Sequence, residues 1–343
     1  MSWNRLFTKG IRNPWTALKF LKSPKGRNFI GQKINQFYHS RGGIREYNPE
    51  GIDIFEEDWD NLIILDACRY DSFVSAKERH NLSGELESRI SRGSQTPEWL
   101  WANFRGRDLS DTVYISASGM PQHIGVDNSS SKSRYQEKYS FNLKVHDLIN
   151  VWSDPPDGAR PTVEDGRTSD HLVPAGLMAN KAIEFAKKYP NKRILIHIIE
   201  PHDPYYGTEI GKEIHKKSRH PWKDKLQQKI DTPVEKLRQA YQQNVDIGVK
   251  AASALIEELV GKTVVSSDHG EMLWERSNPV PTVEILHPDK TYIDELVRVP
   301  WLIVDGERRD ITSGTPITED DNISDMKPTS TTEEQLKALG YRD

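Results

Sequence analysis

The sequence predicts an α/β fold, a three-layer sandwich with a mostly parallel central sheet between helices. Two observations lead to this prediction. Five apolar, β-branched runs recur along the 343 residues, and their continuous apolar character is typical of strands that are buried on both faces. Helical patterns lie between these runs, so strand and helix alternate as they do around a parallel sheet.

The predicted elements follow in chain order. The strands are expected at residues 61–67 (NLIILDA), 112–118 (TVYISAS), 193–200 (RILIHIIE), 262–268 (KTVVSSD) and 299–306 (VPWLIVDG). Helices are expected at residues 96–104 (TPEWLWANF), 173–190 (VPAGLMANKAIEFAKKYP) and 234–260. Residues 310–332 are rich in Ser, Thr, Asp and Pro and indicate a loop or linker, after which TEEQLKALGYRD predicts a short terminal helix that ends at Gly340. This pattern divides the chain into a basic arm (1–45), a catalytic domain (46–310), and a linker with a C-terminal helix (311–343).

Composition narrows the class of protein. Charged residues make up 29% and hydrophobic residues 35% of the chain, which is typical of a soluble globular protein, and no apolar run approaches the ~18 residues of a membrane span. The single cysteine, Cys68, excludes an intramolecular disulfide framework and a cysteine-based zinc site. Residues 1–9 are polar and charged, without an apolar run behind them, so we expect no cleavable secretory signal and a cytoplasmic location.

The N-terminal arm differs in charge from the rest of the chain. Residues 1–45 contain ten Lys or Arg and no Asp or Glu, although the whole chain has a net charge of −4. Trp15, Leu18 and Phe20 alternate with lysines in this arm, as in an interfacial helix on anionic lipid. Two interpretations stay open: peripheral contact with an anionic membrane, or packing of the arm on the acidic surface of its own domain. Nucleic acid is not expected as a partner.

Polar clusters follow three of the predicted strands. They are Asp66 with Arg69, residues 200–205 (EPHDPY), and residues 267–271 (SDHGE). In an open parallel sheet, ligands bind at the carboxyl ends of the strands, so these clusters are expected to meet at one edge. Taken singly, an aspartate after a strand also serves as a helix cap, and an Asp-His-Gly turn also forms a hydrogen-bonded loop. Their joint occurrence behind three strands favours a site.

Two carboxylates and one imidazole stand out in these clusters. Asp66, Asp268 and His269 form a ligand set that suits Mg²⁺, Mn²⁺ or Zn²⁺ and leaves positions open for a substrate. The sequence therefore predicts a divalent metal site at the sheet edge.

Several motifs resemble the sulfatase and alkaline phosphatase superfamily, in that family's order. DACRYD (66–71) resembles its first-strand motif, PHDPY (201–205) its histidine-containing loop, and SSDHGEML (266–273) its metal-binding Asp-His-Gly-Glu. HPDKTYIDELVRVPWLIV (287–304) is similar to the stretch before its last strand. The resemblance implies a divalent metal (Mn, Mg, Zn or Ca) bound by Asp66, Asp268 and His269, and an anionic ester held by His202 and Lys290.

Two departures from the sulfatase pattern favour phosphorus esters over sulfate esters. Cys68 lies in the metal-strand motif and lacks the sequence context in which sulfatases modify their nucleophile. Asp66 is followed by Ala67 rather than by a second aspartate, and His269 stands where sulfatases often have Asn. The resemblance thus implies a hydrolase or transferase of phosphate mono- or diesters. The alternatives are a sulfatase, or a catalytically silent relative that binds anionic glycans or lipid head groups.

The nucleophile is expected to be a hydroxyl group on the loop that precedes the helix at 96–104. The stretch SRGSQTPEWLW offers Ser91, Ser94 and Thr96, of which Ser94 and Thr96 are the main candidates. Thr96 is favoured because it immediately precedes Pro97, a residue typical of a first helical position. Thr96 is then expected at the N-cap, where N–H groups converge on an incoming anion. Capping by itself is the competing explanation for this threonine.

The roles of several further residues stay open. Second-metal ligation and simple hydrogen bonding are both compatible with His197, Glu200 and His287. Arg69 is predicted to form an ion pair with Asp71. Two tryptophans, Trp99 and Trp101, are predicted to pack in the core or the pocket wall.

Overall fold

The computed structural model describes residues 22–126, 133–153 and 172–314, together with Trp15, Leu18, Lys19, Leu336 and Leu339. The strands in this part of the chain are β1 (Asn61–Leu65), β2 (Glu85–Ile90), β3 (Leu109–Ser116), β4 (Val145–Asn150), β5 (Arg193–Ile198), β6 (Thr263–Ser266), β7 (Met272–Arg276), β8 (Val283–Leu286) and β9 (Arg298–Val304). The five predicted strands correspond to β1, β3, β5, β6 and β9, each within a few residues of the expected bounds.

Seven of these strands form one sheet in the order β2-β9-β6-β1-β5-β3-β4, and β7 and β8 form a separate antiparallel pair. Strand β1 lies at the centre and pairs in parallel with both β5 and β6. Strand β9 runs antiparallel to its neighbours β6 and β2. The sheet is therefore mostly parallel, and the α/β fold class predicted from the sequence is confirmed.

Helices flank the sheet. In the described part of the chain they are α1 (Pro24–His39), α2 (Tyr70–Arg79), α3 (Thr96–Phe104), α4 (Met120–Gly125), α5 (Arg134–Tyr139), α6 (Ala175–Lys188), α7 (Glu209–Lys217), α8 (Pro221–Leu226), α9 (Val234–Glu258) and α10 (Asp294–Val297). The longest, α9, packs against α2, α6 and α7, whereas α3 packs against α4 and α5. The predicted helices correspond to α3, α6 and α9.

Two strands of the sheet escaped prediction because they lie at its edges. Strand β2 has the sequence ELESRI and is only partly buried, and β4 has the sequence VHDLIN. An edge strand exposes part of its length and tolerates charged side chains, so it lacks a continuous apolar run. The central strand β1, NLIIL, is buried along its whole length and shows the run clearly.

Part of the basic arm is helical and packs on the β7–β8 pair. Helix α1 begins after Ser23, whose Oγ accepts a hydrogen bond from the N–H of Gly26 (3.1 Å). Part of the stretch predicted as an interfacial helix, and most of the predicted linker and C-terminal helix, lie outside the described residues. The division of the chain into arm, catalytic domain and C-terminal segment stays a prediction.

Candidate metal centre

Three neighbouring strands bring two aspartates and a histidine together. Asp66 directly follows β1, Asp268 comes two residues after β6, and His197 lies in β5. Because β6, β1 and β5 are adjacent and parallel, the three side chains meet at one edge of the sheet. All three are almost fully buried, and one ligand atom from each lies within 4.8 Å of the others. This arrangement has the size of a metal site.

The hydrogen bonding of these groups also fits a cation. Among the described residues, Asp66 Oδ1, Asp268 Oδ2 and His197 Nε2 are buried without a hydrogen-bond partner. The other Asp268 oxygen, Oδ1, accepts the backbone N–H groups of Ala67 (3.1 Å) and His269 (2.9 Å), which fixes the carboxylate. Buried carboxylate oxygens that lack a partner are costly. A divalent metal would compensate this cost, so the residues fit such an ion.

His269 is oriented as a further ligand. Its Nδ1 lies 2.8 Å from the Gly270 carbonyl oxygen, which can only accept, so Nδ1 carries the proton and Nε2 keeps a lone pair. Nε2 lies 3.3 Å from Asp268 Oδ2 and 3.7 Å from Asp66 Oδ1. Gly270 permits this turn, because a Cβ there would lie 2.1 Å from the Glu295 carbonyl oxygen. The structure thus brings the three predicted ligands together and adds His197.

The turn after β1 is held in an unusual conformation. Ala67 has a φ of +61°, a left-handed conformation that alanine seldom adopts. Its N–H donates to Asp268, and its carbonyl oxygen accepts from the Tyr241 hydroxyl (2.8 Å). Strained backbone of this kind is held in place by its surroundings and is common at functional sites. Here it couples the position of Asp66 to that of Asp268.

Thr96 faces the candidate metal centre. Its Oγ1 lies 3.5 Å from Asp66 Oδ2 and 3.2 Å from His269 Nε2, and the residue is fully buried. The prediction that Thr96 is the N-cap is wrong: Gln95 is the N-cap, with an extended backbone (φ −159°, ψ 157°), and Thr96 is the first residue of α3. Since the hydroxyl points to Asp66 and His269, capping does not explain this threonine.

Ser94, the other candidate nucleophile, is used differently. Its Oγ donates to the Pro288 carbonyl (2.9 Å) and to Glu98 Oε2 (3.1 Å), and it accepts from the backbone N–H of Thr291 (3.3 Å). These bonds tie the loop before α3 to the segment after β8. The structure does not place the Ser94 hydroxyl against Asp66 or His269.

A row of imidazoles leads from the candidate centre to a cleft. The ring centroids of His269 and His287 are 4.8 Å apart, and those of His287 and His202 are 5.0 Å apart. His202 and His287 line the cleft, which has a volume of about 620 Å³. Lys290, the other residue expected to hold an anionic ester, does not line it; its Nζ donates to the Arg45 carbonyl oxygen (2.7 Å).

Opposite charges shift the pKa values at the centre against the effect of burial. Burial disfavours the charged form of Asp66, yet the His197 imidazole, whose Nε2 lies 3.3 Å from Asp66 Oδ2, and the charges of His202 and His269 hold the pKa of its carboxyl group below the usual range. Burial likewise disfavours protonation of His197, but Asp66 and Asp268 raise its pKa. At neutral pH the carboxyl group of Asp66 is therefore held in the charged form that binds metal.

Burial has the largest effect on the pKa values of the groups that lie farther from Asp66 and His197. It raises the pKa of Glu271 to about 7, and it lowers the pKa of the His202 and His287 imidazoles. Glu271 Oε2 lies 3.3 Å from His287 Nδ1. These imidazoles are thus neutral at pH 7 and can present lone pairs toward the cleft.

Arg69 and Cys68, in the motif that follows β1, have structural roles. Arg69 forms the predicted ion pair with Asp71 (2.7 Å) and a second one with Glu275 (2.8 Å). Cys68 is fully buried, and burial raises the pKa of its thiol, so the thiol is inert as a nucleophile. The prediction that Trp99 packs in the core is confirmed, since it is buried against Phe104 and His197.

Sequence reasoning missed some residues of the site. Tyr114, in the middle of β3, places its hydroxyl 2.8 Å from His197 Nδ1 and thereby orients that imidazole. Within an apolar strand this tyrosine has the pattern of a core residue, so no signal distinguished it. The walls of the cleft were also missed: helices α1 and α5 contribute basic residues to it, among them Lys33, Arg134 and Lys138.

Comparison with known proteins gives matches among solved structures alone. No protein-family model and no curated protein matches the chain. The C-terminal periplasmic domain of EcEptC from Escherichia coli, in complex with Zn, is 13% identical, with a TM-score of 0.44 over 72% of each chain. The integral membrane protein lipooligosaccharide phosphoethanolamine transferase A (EptA) from Neisseria meningitidis is 14% identical, with a TM-score of 0.43, over 89% of this chain and 59% of that one.

A third match is the phosphonate monoester hydrolase of Agrobacterium radiobacter, with 11% identity and a TM-score of 0.39 over 71% of this chain and 67% of that one. Sulfatases are also among the matches. All of these matches are distant, with 11–14% identity and TM-scores below 0.5.

The prediction of a cytoplasmic location is contradicted by this comparison. The matched EptC structures, from Escherichia coli and Campylobacter jejuni, are C-terminal periplasmic domains. The polar N-terminus, on which the prediction depended, does not decide the location. In the part of the chain that the structure describes, no helix combines the length and the apolar character needed to cross a membrane.

Proposed function

We propose that this chain is a metal-dependent enzyme that transfers or hydrolyses phosphate mono- or diesters, with Thr96 as the nucleophile. One observation carries the proposal. The Thr96 hydroxyl stands 3.2–3.5 Å from His269 Nε2 and Asp66 Oδ2, beside buried carboxylate oxygens that fit a divalent metal. A hydroxyl in such a position is the arrangement needed for nucleophilic catalysis. It also lies one side chain away from a cleft that opens past His287.

A divalent metal held by Asp66, His197, Asp268 and His269 would supply positive charge that lowers the pKa of the hydroxyl and polarises the phosphoryl group. The chain's own residues account for the other requirements. Asp66 Oδ2, 3.5 Å from Thr96 Oγ1, is an acceptor within reach of the hydroxyl proton, because the lone pair of His269 Nε2 would be used by the metal.

The reaction proceeds in two displacements. In the first, the Thr96 oxygen bonds to phosphorus, its proton passes to Asp66 Oδ2, and the bond from phosphorus to the leaving oxygen breaks. The departing oxygen takes up a proton from water in the cleft, and the phosphoryl group stays on Thr96. In the second, the oxygen of water or of an acceptor alcohol bonds to phosphorus and gives its proton to solvent, while the Thr96 oxygen departs and takes back the proton from Asp66. His202 and His287 face the cleft where these partners would bind.

The residues favour this chemistry over the two alternatives drawn from the sequence. A sulfatase of the usual kind needs a modified cysteine or serine in a characteristic motif, and the buried Cys68 lies outside such a context. A silent binder of anionic groups would not need a buried hydroxyl directed at the candidate metal ligands. The position of Thr96 therefore supports an enzyme.

The test compares metal content and turnover in two aspartate variants. In Asp268→Asn, the retained oxygen still accepts from Ala67 and His269, but the charge is lost. We expect metal content, measured by elemental analysis, and turnover of an aryl phosphate to fall together, without a change in fold. The matched control is Asp147→Asn, a buried aspartate on β4 whose Oδ2 accepts from the Tyr189 hydroxyl (2.6 Å). Full metal occupancy in Asp268→Asn would refute the proposed site.

We also propose that the basic N-terminal arm, residues 1–45, contacts an anionic membrane peripherally. The support is its charge, ten Lys or Arg and no Asp or Glu, which at a surface rich in anionic lipid contributes about 1 kcal/mol per basic residue close to it. The other interpretation was that the arm packs on its own domain. Helix α1, one part of the arm, does lie against the β7–β8 pair.

A further inference from the structure

Helix α1 is attached to the protein by a polar stripe rather than an apolar one. Asn28, Gln32, Asn35 and His39 follow one another at intervals of three or four residues and so lie on one face. The Asn28 and Gln32 amides donate to the Val283 carbonyl, and the Asn35 amide donates to the Val280 carbonyl. The usual arrangement of a surface helix, with the apolar face inward, is thus reversed along this stripe.

The opposite face of α1 presents large apolar side chains to solvent. Ile34, Phe37 and Tyr38 are 47%, 67% and 61% exposed, and Ile44, just beyond the helix, is 84% exposed. Single exposed apolar residues are ordinary, but four within eleven positions form a patch, and such patches mark interaction surfaces. We call this set, Ile34, Phe37, Tyr38 and Ile44, the outward face of α1.

Basic residues flank the outward face. Arg27 is exposed and seven residues before Ile34, which places it on the same side of α1. Arg41 is exposed in the turn that follows the helix. No acidic residue occurs before Glu46. Aromatic and aliphatic side chains beside arginines, without carboxylates, complement a surface that is apolar beneath and negatively charged outside. An anionic bilayer has this character.

The third side of α1 lines the cleft of the candidate site. Phe29, Lys33 and Gln36 contribute to its wall, and at 100° per residue Phe37 lies only about 40° around the helix from Lys33. A surface that contacts Phe37 would therefore lie beside the mouth of the cleft.

We propose that the outward face of α1 docks on an anionic lipid bilayer and that docking holds the mouth of the cleft at the lipid surface. This inference rests on the proposed function, from which it takes the membrane contact of the arm and the role of the cleft. It assigns that contact to particular side chains.

The test uses the full chain and vesicles of phosphatidylglycerol and phosphatidylcholine. Ile34→Ser/Phe37→Ser/Tyr38→Ser is expected to weaken co-sedimentation with the anionic vesicles by at least about tenfold, because three apolar side chains no longer enter the interface. Arg27→Gln/Arg41→Gln should reduce the part of the binding that added salt removes. The matched control is Val260→Ser, an apolar residue that is 64% exposed near the amino ends of the strands; it should bind like the unaltered chain.

The results separate this inference from the proposed chemistry. Turnover of a soluble aryl phosphate should be unchanged in the triple serine variant, and Thr96→Ala should bind vesicles normally. Unchanged vesicle binding by the triple variant would overturn the inference and leave arm contact to other residues. Equal binding to purely zwitterionic vesicles would also overturn it. A change in oligomeric state, seen by sedimentation velocity in the triple variant, would assign the face to a second copy of the chain instead.

Discussion

Replacement of Thr96 and of Ser94 by alanine separates a chemical role from a structural one. The Thr96 hydroxyl lies 3.5 Å from Asp66 Oδ2 and 3.2 Å from His269 Nε2. Thr96→Ala removes this hydroxyl and one buried methyl group, so we expect a destabilisation of about 1–2 kcal/mol. If the hydroxyl is the nucleophile, turnover should fall by about 10⁴-fold, which corresponds to about 5.4 kcal/mol of barrier.

The expectation for Ser94→Ala is the reverse. Its Oγ makes three hydrogen bonds, and the variant leaves the Pro288 carbonyl, Glu98 Oε2 and the Thr291 N–H with one partner fewer in a buried place. We expect a loss of about 2–3 kcal/mol in the free energy of unfolding, and a fall in Tm of about 1–2 °C for each kcal/mol in a chain of 343 residues. Turnover per folded molecule should change by less than tenfold.

The assay measures three quantities for each variant: aryl phosphate turnover with saturating metal, Tm, and phospho-enzyme in acid-quenched samples by intact mass. Thr96→Ser keeps the hydroxyl and serves as the matched control, with turnover expected within about tenfold of the unaltered chain. Near-normal turnover in Thr96→Ala would refute the assignment. Should Ser94→Ala be inactive and Thr96→Ala active, the nucleophile would be Ser94.

Two further predictions follow from buried groups. Burial raises the pKa of Glu284 from 4.5 to about 7, although the hydrogen bond from Gln32 opposes this shift. Between these two pH values the folded state holds a proton that the unfolded state has lost. The free energy of unfolding should therefore fall by on the order of 2–3 kcal/mol as pH rises from about 4.5 to 7. Glu284→Gln should flatten this trend in Tm; an unaltered slope would contradict the reasoning. Gly270→Ala should weaken metal affinity 10- to 100-fold, because a Cβ 2.1 Å from the Glu295 carbonyl displaces the His269 turn. Calorimetric titration measures this affinity, and an unchanged value would count against His269 as a ligand.

The sequence by itself determined the class of the fold and the identity of the predicted metal ligands. Strands buried on both faces must be apolar throughout, so β1 and its neighbours were visible as runs, and polar residues that directly follow such strands can only lie at the sheet edge. Asp66, Asp268 and His269 could be predicted as ligands on this basis, because each of them follows an apolar strand of the predicted parallel sheet.

Only the tertiary structure showed which residues are brought together by neighbouring strands. His197 joins the centre because β5 lies beside β1, and Tyr114 reaches His197 because β3 lies beside β5. Neither strand pairing can be predicted from local sequence, because parallel strands that pair are far apart along the chain.

The same holds for the directions of single side chains. Thr96 and Ser94 are two residues apart with similar chemistry, and only the backbone of Gln95 sends one hydroxyl to Asp66 and the other to Pro288. Lys290 was placed at the site by its motif, yet its ammonium group reaches the Arg45 carbonyl instead. A motif gives the residue type and its approximate place, whereas the direction of a side chain follows from backbone dihedral angles that non-local packing fixes.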